Sequence, residues 1–108
     1  MSADPYVFRE SDWKLFRKRI PEWQEAYMER LNREYIHLLS GPGLASTKFW
    51  ALEKRIFHDK KKPGVVCERS RSEMSLNLLR LLADGAITRD DLDGFSPELR
   101  AWLEPSPL

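Results

Sequence analysis

The sequence predicts an all-α fold, a compact bundle of four main helices with short C-terminal helical turns, and three observations carry that expectation. Apolar residues recur at three- and four-residue spacing wherever a period is clear. The breaks fall at Gly and Pro, in Gly41-Pro42-Gly43, Pro63-Gly64 and Gly85. No two segments alternate as a strand pair would. A length of 108 residues suits a single domain, 1–108, built around one modest core. Four Trp, three Tyr and five Phe, within a composition 42% hydrophobic and 32% charged, argue for a chain that folds.

Residues 1–9 read as an N-terminal arm in which Tyr6, Val7 and Phe8 are apolar enough to dock onto the body. Ser11 is the expected N-cap of a short helix, with Asp12 in its first turn and Trp13, Phe16 and Ile20 along its apolar side. Pro21 is expected to end or kink that helix and to begin the next, because proline suits a first helical position. The second helix runs to about Leu39 and separates Trp23, Tyr27, Met28, Leu31, Tyr35, Leu38 and Leu39 from Glu22, Glu25, Glu29, Arg30, Arg33 and His37. Glu34 falls on the apolar arc, where it should snorkel or pair with an Arg.

A third helix, about Ser46 to Lys61, should turn Phe49, Leu52, Ile56 and Phe57 inward with Trp50 at the stripe's edge. A basic loop over 60–69 follows, with Gly64 to Cys67 extended. Ser70 and Glu73 form a capping-box pattern that opens a fourth helix, ending near Ala83, whose polar stripe is only Glu73, Asn77 and Arg80. So wide an apolar girth predicts a central helix in a monomer, preferred over a homodimer through Leu76 and Leu79. Thr88 with Asp91, and Ser96-Pro97-Glu98, suggest two short helical turns, the latter carrying Leu99, Trp102 and Leu103.

Charge patterning narrows function more than any motif does. The formal charge of +1 hides a segment near +5 from Lys54 to Arg71, with seven Lys/Arg against two Asp/Glu. From Asp84 to Leu108 the balance is two against six, near −4, and such segregation can orient an encounter with a charged partner. Within the basic segment Lys54, His58 and Lys61 recur at helical spacing beside Trp50 and Phe57, and Lys60, Lys62, Arg69 and Arg71 extend the patch. Cations interleaved with aromatics can hold a nucleic-acid backbone while stacking its bases. The competing reading is a solvated loop whose lysines complement a helix C-terminus.

Other chemistries find less support. Asp84 to Leu92 has the turn glycine and closing acid of half a calcium loop, but Arg80 and Leu82 stand where the leading carboxylates belong. Leu78 to Leu92 also has the outline of a helix-turn-helix opening, yet Glu98 and Glu104 flank Arg100 where phosphates would have to lie. His37, His58 and Cys67 match no zinc spacing, Cys67 lacks a locally placed base, and there is no phosphate loop or nucleophile elbow. The expectation is therefore a non-enzymatic interaction or regulatory module without cofactor or metal. Its partner would be another protein, with nucleic acid bound through 54–71 as the alternative.

Taken together, Ser11-Asp12-Trp13-Lys14-Leu15-Phe16-Arg17, Trp23-Gln24-Glu25-Ala26-Tyr27-Met28, Phe49-Trp50-Ala51-Leu52-Glu53, Lys62-Pro63-Gly64-Val65-Val66 and Gly85-Ala86-Ile87-Thr88 resemble a family of short bacterial proteins, some labelled multidrug transporters. The resemblance implies a compact cytosolic bacterial protein and carries no catalytic residue. The transporter label conflicts with the lack of any run of roughly 18 apolar residues.

Overall fold

Pro21 does not divide the chain. In the computed structural model, which describes residues 9–104, one helix, α1, runs unbroken over Glu10–Ser40 with Pro21 inside it. Proline has no N–H to give the carbonyl four residues back, at Arg17. Both Pro21 and Arg17 are exposed, so water can take the place of the missing donor. The apolar phase also crosses the proline intact, since Trp13, Phe16, Ile20, Tyr27 and Leu31 are all buried along one side. Helix α2 spans Ala45–Asp59, α3 spans Met74–Ala83 and α4 spans Pro97–Trp102, with 3-10 turns at Arg71–Glu73 and Arg89–Leu92. The fold is an all-α bundle of four helices, with no strand among the described residues. The expected N-terminal arm, apart from Arg9, lies outside the described residues.

The helix starts differ from expectation at two places. Arg9, not Ser11, is the N-cap of α1 and makes no side-chain cap, while Asp12 lies in the first turn as expected and is buried there. Ser70 likewise makes no capping bond, so the Ser70–Glu73 box does not form. The short turns behave as expected: the Thr88 N–H donates to Asp91 Oδ2 at 2.7 Å, and Ser96 Oγ accepts from the Leu99 N–H at 3.2 Å with Pro97 opening α4.

The core lies at one end of α1. Trp13, Phe16 and Ile20 pack with Met74, Leu78 and Leu81 of α3, and Ile87, Leu92, Phe95, Leu99 and Leu103 close over them. Phe16 is fully buried, stacked on Trp13 at 6.0 Å between ring centroids and meeting Trp23 edge-on at 6.5 Å. Only part of the expected girth of α3 is covered, for Leu79 stays exposed and Leu76 half-buried. Asn77, expected on the polar stripe, is buried and donates to the Glu68 carbonyl at 2.6 Å.

A buried carboxylate ties the two ends of the chain together. Asp12 Oδ1 accepts the Ser96 N–H at 2.7 Å and Asp12 Oδ2 accepts the Ser96 hydroxyl at 2.6 Å. Ser96 Oγ in turn holds the first turn of α4, so the six residues of α4 are anchored directly to α1.

The loop folds into a turn from Lys60 to Val65, which takes in Gly64 and Val65 of the extended run expected over Gly64 to Cys67. The N–H groups of Val65 and Val66 both donate to the Lys62 carbonyl at 2.9 Å. Buried Gln24 donates to the Pro63 carbonyl at 3.0 Å and accepts from Arg69 at 2.9 Å, so two amides, Gln24 and Asn77, fasten the loop from either side. Gly64 lies so close over the Tyr27 ring that a Cβ there would sit 2.4 Å from Cδ2. Gly64→Ala is therefore expected to lower stability by about 1–3 kcal/mol, since the buried ring or the loop would have to shift to make room. Thermal melts of Gly64→Ala and of Gly64→Ala/Tyr27→Leu check this. The double variant should recover part of the loss relative to Tyr27→Leu alone, and a full penalty in both backgrounds would exclude the ring as its cause.

Candidate interaction surface on the helical hairpin

Beyond Tyr27 the partners of α1 change. Its second half packs antiparallel with α2, after the break at Gly41-Pro42-Gly43, as a hairpin standing off the main core. Polar pairs fix its register. The Tyr35 hydroxyl donates to Asp59 Oδ2 at 2.7 Å, and Arg55 reaches Glu34 at 2.7 Å and Asp59 at 3.3 Å. Burial and the Asp59 carboxylate push the Tyr35 phenol up to about 12, so it remains the donor in this bond. Glu34 is thus one of the pairing carboxylates, and the buried residue of α2 is Asp59.

The apolar stripe expected to face inward on α2 instead faces outward. Phe49, Trp50, Ile56 and Phe57 are 61%, 64%, 43% and 52% exposed, and only Leu52 is half-buried. The reason is a shortage of neighbours, because among the described residues α2 packs chiefly against α1, which covers a single side of it. Ile36, Leu39 and Leu44 add exposed apolar surface on α1 and the connecting loop. Concavities lined by Phe49, Leu52 and Ile56, and by Met28, Leu31, Tyr35 and Val65, meet at Ile56 and Lys60 to make one shallow groove along the hairpin. Among the described residues, most large exposed apolar side chains belong to this hairpin.

The expected basic patch separates into two parts. Lys54, His58, Lys60 and Lys61 are exposed near the apolar face, with the Lys61 ammonium 4.1 Å and the Lys60 ammonium 5.4 Å from the centre of the Phe57 ring. Lys62 is half-buried in the loop turn. Arg69 is drawn to Gln24, and Arg71 pairs with Glu10 at 2.7 Å while lying over Trp13. The Arg71 guanidinium holds the exposed Glu10 carboxyl below its usual range. The two arginines thus belong to the base of the molecule and the lysines to the hairpin.

Burial pushes the Cys67 thiol up against the opposing pull of Arg69, which leaves it a poor nucleophile. Among the described residues no three His, Cys, Asp or Glu side chains gather where they could hold a metal ion, and no helix is long and apolar enough to cross a membrane. The residues missed by sequence reasoning are Ile36, Leu39 and Leu44 as exposed apolar surface, and Gln24 as the anchor of the loop. Ile36 did carry a signal, since it stands outside the apolar arc of its own helix. Searches of protein-family models, curated proteins and solved structures return no match to this chain.

Proposed function

We propose that this protein is a small non-enzymatic interaction module of the bacterial cytosol that docks another protein through the exposed face of the α1–α2 hairpin. One observation carries the reading. The core end of the molecule buries most of its large apolar residues, whereas the hairpin leaves Phe49, Trp50, Ile56 and Phe57 uncovered. Solvated apolar area of this kind is what association removes from water, and aromatic side chains are common anchors of such contacts. The exposed lysines would steer the encounter, raising its rate more than its final affinity.

A photo-reactive side chain installed at Trp50, with the same group at exposed Arg100 as control, tests this in the native cell. A discrete cross-linked product from position 50 and none from position 100 is the expected result. Absence of any product from position 50 would remove the reading. A product that disappears on nuclease treatment would transfer the surface to nucleic acid, held by Lys54, His58, Lys60 and Lys61 beside Trp50 and Phe57.

A further inference from the structure

The groove along the hairpin carries an unbalanced charge. Residues 28–61 contain four acids, and three of them are already paired: Glu29 with Arg33 at 3.8 Å, and Glu34 and Asp59 with Arg55 at 2.7 and 3.3 Å. Glu53 is the fourth. Against it stand Lys54, Lys60 and Lys61, all exposed and, among the described residues, in no ion pair. At 100° per residue, Lys54, His58 and, just past the end of α2, Lys61 line the side of the apolar strip of Phe49, Trp50 and Phe57 that is turned away from α1. The opposite border, on α1, is Asn32, Ile36 and the Glu29–Arg33 pair, which adds no net charge.

We propose that the occupant of this groove is an acidic amphipathic helix of a partner protein, its apolar stripe set on Met28, Phe49 and Ile56 and its carboxylates along Lys54, Lys60 and Lys61. This rests on the reading of the hairpin as an interaction surface and adds the chemistry of what that surface holds. The floor is built from side chains of two helices, whose backbone groups are bonded within each helix. An extended segment would therefore lay its own N–H and C=O groups on apolar surface without partners. A helix satisfies those groups itself and can lie along the seam between α1 and α2. From Phe49 to Lys60 the seam is about 16 Å long, which takes about three helical turns. Carboxylates on the rim of such a helix would meet cations that nothing in the hairpin neutralises. A second copy would instead bring the same excess of lysines to the contact. A nucleic-acid strand would match the charge but not find free stacking platforms. The Lys61 ammonium lies over the Phe57 ring at 4.1 Å, and Phe49 and Trp50 engage each other edge to face at 4.9 Å.

Selection from a displayed library of helical peptides, made on the full chain, tests the proposal. The peptides share one leucine strip, and the positions bordering that strip vary freely among Glu, Gln and Lys. The wild type should enrich Glu along the border, and the selected peptides should bind Lys54→Glu/Lys61→Glu at least about tenfold more weakly, with an affinity that falls as salt rises. Both lysines are exposed, so this variant should keep the wild-type circular dichroism and thermal melt. Phe49→Glu, at another exposed position, should retain none of the selected peptides, which locates their binding in the groove. Neutral or basic borders, no enrichment over the Phe49→Glu background, or tighter binding of labelled single-stranded DNA than of any selected peptide at physiological salt overturns the acidic helix as occupant. Self-association of the wild type that Phe49→Glu abolishes does the same. If one of these results is found while Trp50 still cross-links a protein in the cell, the interaction surface stands and only the chemistry of its occupant falls. If position 50 yields no product at all, the surface itself is lost, and the two failures remain distinct.

Discussion

Phe16→Ala should lower folding stability by about 3–5 kcal/mol, the range for emptying an aromatic site in a closed core. Phe49→Ala, the same change in chemistry, should stay within about 0.5 kcal/mol, as ordinary surface substitutions do. The two positions differ only in surroundings. Phe16 is fully buried between Trp13, Trp23 and the core residues of α3, so its removal forfeits both the transfer from water and the contacts lining the space left behind. Phe49 has Trp50 edge-on at 4.9 Å and solvent over much of the rest. Urea unfolding of both variants, at concentrations too low for self-association, measures the contrast. Equal losses would mean that the hairpin face is covered in the isolated chain, which the exposure of Phe49 contradicts.

The second large effect is expected at Asp12. Removing this carboxylate in Asp12→Ala deprives the Ser96 N–H and hydroxyl of their acceptor inside the core, and a buried donor left unpaired costs far more than an average hydrogen bond contributes. A loss of about 2–3 kcal/mol follows. Asp12→Asn should cost less, because an amide oxygen can still accept the Ser96 N–H while the charge assistance disappears. The damage should appear first in α4, since six residues cannot hold a helix without tertiary support. Hydrogen exchange at the Leu99 and Leu103 amides, both bonded within α4 and its cap, reports on it directly. If those amides stay as protected in Asp12→Ala as in the wild type, the clamp between the chain ends has no structural role.

Local rules recovered the helices but not what lies against them. The 3.6-residue period placed α2 and α3 within a few residues of their observed spans, and Gly41-Pro42-Gly43 marked the hairpin turn. Pro21 misled because its effect depends on which side of the helix it occupies, and an exposed proline, with Arg17 exposed one turn back, leaves the helix running. The continuous spacing of Phe16, Ile20, Tyr27 and Leu31 across it was the legible counter-signal. For α2 the amphipathic pattern stated correctly which side seeks cover, but whether anything covers it depends on how many helices come near, and that is set by α1 extending past the core. Asn77 and Gln24 are buried because a loop lays carbonyls against them, a fact no helical wheel contains. Arg69 and Arg71 looked like part of a basic patch until Gln24 and Glu10, more than forty residues earlier in the chain, claimed them.

The continuity of α1 through Pro21 has a consequence for how the hairpin is aimed. Because the same helix is clamped in the core by Trp13, Phe16 and Ile20 and carries the hairpin from Tyr27 onward, the direction in which Trp50 and Phe57 face is clocked by the number of residues between those two regions. One residue added or removed between Ile20 and Tyr27 would turn the hairpin by about 100° and shift it by about 1.5 Å relative to the core, pulling on the loop that Gln24 and Asn77 fasten from either side. A helix that serves as both core element and shaft thus converts chain length into azimuth, and partner access to the aromatic face depends on an angle counted out in residues far from that face.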